Sequence, residues 1–398
     1  MNTTPPPLVR PKRGEDQSFP LLGRKVRSDP GKSGSRLATK SEMAARRCNQ
    51  RYRSVACSSG LVGGAGPLFV IAVLLLAVSG CASAPASATP GNSRGADPTP
   101  AYRAAASPTS GIPAGLTPAR SPSALAGVND FLYQLQDLDL DAIGTTAYDL
   151  VVMDYSSDGR EAGEFTREQI SALQDSPGGP KIVLAYLSIG EAEDYRYYWR
   201  SEWEEDGAAW LEGENPDWPG NFKARYWDPG WQSVVFDYAG RILAAGFDGA
   251  YLDIIDAYEY FADRGRTTAA QEMADFVAAV AAFFRVRDPG FYIFPQNAPE
   301  LAGLTTGYLD NVDGIGQEDL YYGYDADDRP TPPSVTLELE RHLDRFRNAG
   351  KLVLTVDYAA SPAHVTDAYA RARAKGYVPL ATVRGLDRLT VSPGQEPD

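Results

Sequence analysis

From residue 124 onward, short apolar runs rich in β-branched and aromatic residues alternate with segments of helical period, the pattern of a parallel α/β fold. Eight runs read as strands: 131–136 (FLYQLQ), 150–156 (LVVMDYS), 181–189 (KIVLAYLSI), 250–255 (AYLDII), 291–297 (FYIFPQN), 312–318 (VDGIGQE), 351–358 (KLVLTVDY) and 377–384 (YVPLATVR). Helical patterns cover 166–175, 267–287, 334–349 and 362–375, several opened by Ser or Thr and two closed by Gly350 and Gly376. Eight β/α units within residues 124–398 fit a single (β/α)8 TIM barrel better than a doubly wound sheet.

Nearly every predicted strand ends in a polar residue: Gln134 or Gln136, Asp154, Ser188 then Glu191, Asp253, Asn297, Glu318, Asp357 and Arg384. In a barrel these ends converge on one face, so residues distant in sequence share one pocket. Some of them could instead only start turns, as Asp, Asn and Ser do. The richest such end is 246–261, GFDGAYLDIIDAYEYF, where an apolar run drives into Asp253 and continues through Asp256, Tyr258 and Glu259. Its acids are either chemistry at a strand end or helix caps.

The segment 190–241 reads as one long connection holding all six tryptophans, at 199, 203, 210, 218, 227 and 231. Long βα loops on barrels are commonly functional, and exposed aromatic faces suit stacking on sugar rings. Trp199 and Trp203, four apart, equally suit one packed helix face. Most of the six are expected to pack, with one or two, Trp227 among them, facing a ligand.

The chain ahead of residue 124 changes the picture. Residues 1–81 hold 13 basic and 4 acidic residues, a net of +9, whereas 82–398 hold 25 and 48, a net of −23. An apolar run at 68–78 preceded by arginines and followed by Ser79-Gly80-Cys81 has the form of a secretory signal, and it resembles a lipobox with Cys81 as the lipidated residue. An uncleaved anchor is the alternative. Residues 1–42 do not look like part of a signal, so Met43 is a plausible start. The Ala/Pro/Ser/Thr-rich stretch 82–123 cannot bury enough surface to fold and reads as a disordered linker. The expected organisation is therefore leader 1–81, linker 82–123 and barrel domain 124–398, outside the cytoplasm, as a monomer whose only membrane contact is a lipid anchor or signal segment. An acidic mature chain disfavours nucleic acid and favours a cationic or neutral ligand, although it also serves solubility.

The only cysteines, 48, 57 and 81, lie in the leader, which leaves the domain no disulfide, thiol nucleophile or thiolate metal ligand. Neither His342 nor His364 sits at a strand end, and no GxGxxG or GxxxxGK[ST] follows a strand, so no metal and no nucleotide cofactor is expected. Carboxylates remain, and a pair of them flanking a scissile bond is the minimal apparatus of a glycosidase. A hard-cation site is the lesser alternative.

YLSIGEAEDYRYYW (186–199), YWDPGW (226–231), GFDGAYLDIIDAYEYF (246–261), PQNAPEL (295–301) and DGIGQEDLYY (313–322) together resemble glycoside hydrolase family 114, the endo-α-1,4-polygalactosaminidase-like proteins. The resemblance spans 128–390 and implies a (β/α)8 barrel, in agreement with the strand count. It implies catalytic carboxylates after strands four and six, at Asp253 and Glu318, and a galactosamine-rich, cationic polysaccharide as substrate. On this reading Asp253 is the nucleophile and Glu318 the acid/base. Asp154, Glu191, Asp256, Tyr258, Asn297, Asp357, Arg384 and Trp227 become candidates for substrate contact or for tuning the pair. A carbohydrate-binding lipoprotein without turnover, or a glycosidase for another polymer, are the rivals.

Overall fold

The computed structural model describes residues 122–203 and 207–398. Met43, the apolar run 68–78, Cys81 and the linker up to residue 121 lie outside the described residues. A 3-10 helix, Pro122–Gly127, already occupies the last two positions assigned to the linker.

Along the chain the strands are β1 (Phe131–Tyr133), β2 (Leu150–Met153), β3 (Ile182–Ser188), β4 (Glu191–Glu193), β5 (Leu211–Glu214), β6 (Asn221–Ala224), β7 (Gly249–Asp253), β8 (Tyr292–Pro295), β9 (Gly314–Glu318), β10 (Leu352–Asp357) and β11 (Val378–Ala381). The helices are α1 (Leu140–Gly144), α2 (Arg167–Gln174), α3 (Pro229–Ala245), α4 (Ala257–Ala262), α5 (Ala269–Arg285), α6 (Leu301–Leu304), α7 (Pro333–Asn348) and α8 (Pro362–Ala374). Parallel ladders run β1-β2-β3-β7-β8 and β9-β10-β11, so all eight predicted strands form and neighbour one another in chain order. β8 meets β9 through the Gln296–Gly316 bridge, and the amides of Leu135 and Gln136, just beyond β1, both donate to the Leu386 carbonyl beyond β11. The architecture is the α/β fold of the TIM-barrel type.

Strand alternation divides the core in two. Phe131, Tyr133, Leu150, Val152, Leu184, Tyr251, Phe294, Leu354, Val356, Tyr358 and Leu380 form the cluster inside the barrel. Residues one step out of phase, such as Leu132, Val151, Val183, Leu252, Ile293, Ile315 and Val353, pack outward against the helices. Two inner rings set the sequence of β9. A Cβ on Gly314 would lie 2.1 Å from the Phe294 ring and one on Gly316 would lie 1.6 Å from the Tyr251 hydroxyl, so only glycine admits both rings there.

The segment 190–241 is not an open loop. β4, β6 and β5 make a small antiparallel sheet, and α3 follows, capped by Asp228, whose side chain accepts from Gly230 N. The dense aromatics hid this periodicity in the sequence because they serve as packing on several sides at once. Trp203, Trp210 and Trp231 form a chain with centroids 4.8 and 5.0 Å apart, and buried Trp231 donates to the Ile189 carbonyl at 2.8 Å. Truncating a buried Trp of this kind costs about 3–5 kcal/mol.

Candidate active site

A cleft of about 510 Å³ opens over the C-terminal ends of the barrel strands, and Asp253 and Glu318 line it together. Phase explains both placements. Asp253 stands two residues after inward-facing Tyr251, and Glu318 two after Gly316, which abuts the same ring.

Asp253 Oδ2 accepts from the Tyr186 hydroxyl at 2.8 Å, and Oδ1 accepts from the Ile254 amide at 2.7 Å. Ile254 stands at φ 58, a left-handed conformation that a β-branched residue rarely adopts. Asn297 (φ 61), Ala298 (φ 51) and Asp319 (φ 58) are left-handed too, so strain gathers where β7, β8 and β9 meet the cleft. Burial, and after it the charge of Glu318, pushes the Asp253 carboxyl up to about 7 against the pull of its two hydrogen bonds.

Glu318 is clamped from two sides. The Tyr358 hydroxyl donates to Oε1, and Asn297 Nδ2 donates to Oε2 at 3.0 Å. Asn297 Oδ1 in turn accepts from the Glu318 amide at 3.0 Å and from Gln317 Nε2 at 3.1 Å. Arg384 pairs with Asp319 at 2.9 Å and Asp327 at 2.7 Å and lies 3.9 Å over the Tyr358 ring. It thus lines the cleft with its charge already met, and it steadies the ring that donates to Glu318.

Opposite this clamp, Asp154 accepts from Arg196 Nη1 at 2.8 Å, Arg196 Nε reaches Glu193 at 2.7 Å, and the Tyr195 hydroxyl donates to Glu193 at 2.6 Å. Burial raises the Glu193 carboxyl above its ordinary range, with Arg196 opposing. Trp218 is the tryptophan on the cleft wall. Carboxylates outnumber cations along the lining, so the cleft suits a positively charged or hydrogen-bond-donating ligand. Among the described residues no group of three or more His, Cys, Asp or Glu is placed to hold a metal ion.

Of the residues singled out from sequence, Asp154, Asp253, Asn297, Glu318 and Arg384 come together in this cleft. Five others do not. Glu191, buried in β4, accepts from Asn215, just beyond β5, at 2.8 Å and pairs with Lys223 of β6 at 2.9 Å, so it holds the small sheet together. Asp357 is one step out of phase with Val356 and Tyr358, faces the helix layer and accepts from the amides of Tyr321 and Tyr322 at 2.6 and 2.8 Å. Trp227 packs on Phe261 at 4.6 Å with Arg266 stacked 3.6 Å over its ring. Asp256 and Tyr258 line an adjoining pocket, where the Tyr258 hydroxyl donates to Glu300.

Sequence reasoning passed over Tyr133, Tyr186 and Tyr358, although their inward phase on the strands was a usable signal. Glu193, Arg196 and Trp218 reach the cleft from the segment 190–241, and no local pattern announces their position.

Comparison with known proteins adds relatives to this geometry. Residues 113–397 match the family described as "Glycoside-hydrolase family GH114". An uncharacterized protein of Thermotoga maritima is 36% identical over 282 residues, 68% of this chain and 85% of its own, and one of Deinococcus radiodurans is 39% identical over 281 residues, 70% and 87%. The glycoside hydrolase domain of PelA from Pseudomonas aeruginosa superposes with a TM-score of 0.53 at 22% identity, covering 67% of this chain and 99% of that domain. Aspergillus fumigatus Ega3, solved in complex with galactosamine, gives 0.52 at 17% identity, covering 68% and 96%. These two likenesses concern the fold.

Proposed function

Since the chain belongs to glycoside-hydrolase family GH114, we propose that it hydrolyses an α-1,4-linked galactosamine-containing polysaccharide outside the cytoplasm, through Asp253 and Glu318. The observation that carries this reading is the pairing itself. Two carboxylates from different strands share one cleft, and Asp253 is lifted to about 7 by burial and by the other's charge. Such a pair holds one proton between them near neutral pH, the state a two-carboxylate glycosidase needs.

Asp253 faces the anomeric carbon and Glu318 gives its proton to the glycosidic oxygen. Of the two, Asp253 is the carboxyl that burial and its neighbour's charge raise, the reverse of what a nucleophile requires. A sugar ammonium bound beside Asp253 lowers its proton affinity and favours the ionised form that a nucleophile needs, so the substrate's own charge readies this carboxylate. The cleft's excess of carboxylates and the net −23 of residues 82–398 favour such a cation. The signal-like segment 68–78 supports export, and the galactosamine complex of Ega3 supports the sugar class.

The test is to incubate the full chain with a galactosamine polymer and follow reducing ends, analysing products by mass spectrometry. Release that disappears in Asp253→Asn and Glu318→Gln supports the reading. Binding without release would instead establish a carbohydrate-binding protein.

A further inference from the structure

Beside the cleft lies a second pocket of about 410 Å³, bounded by α4, by the chain after β8 and by α7. Asn297, Glu318 and Asp319 border both spaces, whereas Asp253 lines only the cleft. A chain crossing Glu318 would therefore pass from one space into the other.

The pocket wall carries two polar atoms that the protein does not satisfy. Gln317 is only 4% exposed. Its Nε2 donates to Asn297 Oδ1 and to the Glu318 carbonyl, which fixes the amide's orientation and leaves Oε1 with no hydrogen-bond partner. His342 Nε2 lies 3.0 Å from the Arg341 guanidinium, which can only donate, so in the neutral ring the proton sits on Nδ1, and that atom also lacks a partner. A buried polar group left unmet is costly, so a ligand that meets it gains. A hydroxyl, donor and acceptor at once, is the group able to meet both kinds. Leu304, 63% exposed, makes an apolar lip, and Glu259 and Asp263 add carboxylates at the mouth.

We propose that this pocket is the subsite for the sugar on the leaving-group side of the scissile bond, and that it takes an amino-sugar unit whose hydroxyl meets Gln317 or His342 and whose ammonium faces Glu259 and Asp263. The inference rests on the cleft being that of a galactosamine-polymer hydrolase. It gives Glu318 its place: the group on the border between the two sugars is the one that protonates the oxygen joining them.

The experiment compares two substrates on the full chain: a galactosamine polymer, and an aryl α-galactosaminide whose small leaving group does not need the pocket. Ala262→Trp, at an exposed position on the pocket rim, fills the space without removing a polar group. It is expected to lower kcat/KM for the polymer about tenfold or more while leaving aryl turnover within about twofold, since remote binding is spent on the reacting bond. The double variant Glu259→Gln/Asp263→Asn is expected to raise the polymer's KM several-fold, at about the level of one or two lost ion contacts, and to flatten its salt dependence. Equal loss on both substrates, or no change on the polymer, overturns the subsite. A wild-type chain inactive on both substrates overturns the hydrolase reading and the subsite with it.

Discussion

Asp253 closes β7 and Asp357 closes β10, and burial lifts both carboxyls to about 7. Their surroundings are otherwise opposite. Asp253 is in phase with the barrel interior, opens on the cleft and has Glu318 as its strongest charged neighbour. Asp357 is out of phase and 1% exposed, and its Oδ1 ties the amides of Tyr321 and Tyr322 into the turn after β9. Raised proton affinity by itself therefore reports desolvation. What separates chemistry from architecture here is a second acid on the same open face.

Neutralising each acid in turn separates the two roles. Asp253→Asn is expected to lower kcat on a galactosamine polymer by roughly 10⁴-fold, the scale of losing a group that acts in the bond-breaking step. Asp357→Asn should leave kcat within a few-fold, because the amide oxygen still accepts from both backbone N–H groups. Comparable losses in the two variants, measured as reducing-end release on folded protein, would erase the distinction.

Strand phase also sets how much of the site is legible in the sequence. The eight strands follow from apolar alternation, and so does the inward phase of Asp253, since a β7 written Ala-Tyr-Leu-Asp can place only one of Tyr251 and Leu252 inside and Asp253 goes with Tyr251. Glu318 ends a glycine-rich strand without such alternation, and its pairing with Asp253 comes from the family resemblance. The same alternation in KLVLTVDY sends Asp357 outward with Thr355 and Val353, so its place at a strand end does not by itself make it a pocket acid. Glu191 and Trp227 misled for another reason. Their placement depends on how β4 to β6 fold back on the barrel, which is a matter of non-local packing that a local period does not encode.

A second contrast is smaller and concerns stability. For both aspartates the folded value of about 7 exceeds the unfolded value near 3.9, so the folded state holds the extra proton. The stability this lends is fully present below about pH 4 and is lost as pH rises through 7, up to about 4 kcal/mol per site. Each Asn variant should gain on wild type by a corresponding amount between pH 4.5 and pH 8 in urea unfolding. A variant whose difference from wild type stays flat over that range shows that its aspartate is not raised.

Glu318→Gln separates the two sites further. Removing that charge takes away the second-largest cause of the Asp253 shift and touches none of those acting on Asp357. Carboxyl titration by NMR should find Asp253 below 7 in this variant and Asp357 unmoved. Movement of both would mean that the two acids share one field across the barrel.

The smallest expected effect comes from Tyr186→Phe. Asp253 is held by one backbone and one side-chain donor, Asp357 by two backbone donors, so only Asp253 can lose a partner to a side-chain substitution. The Tyr186 hydroxyl donates to Oδ2 and favours the ionised form. Without it the Asp253 carboxyl should rise further, and the limb of the pH profile that follows its ionisation should move to higher pH by an amount worth about 1 kcal/mol, the net value of one such hydrogen bond. At pH 6 this lowers the variant's activity relative to wild type, and at pH 8.5 the ratio of the two returns toward one. A variant equally impaired at both values would place Tyr186 in holding the sugar rather than in setting the charge of Asp253, and the pair's proton would then be governed by burial and Glu318 alone.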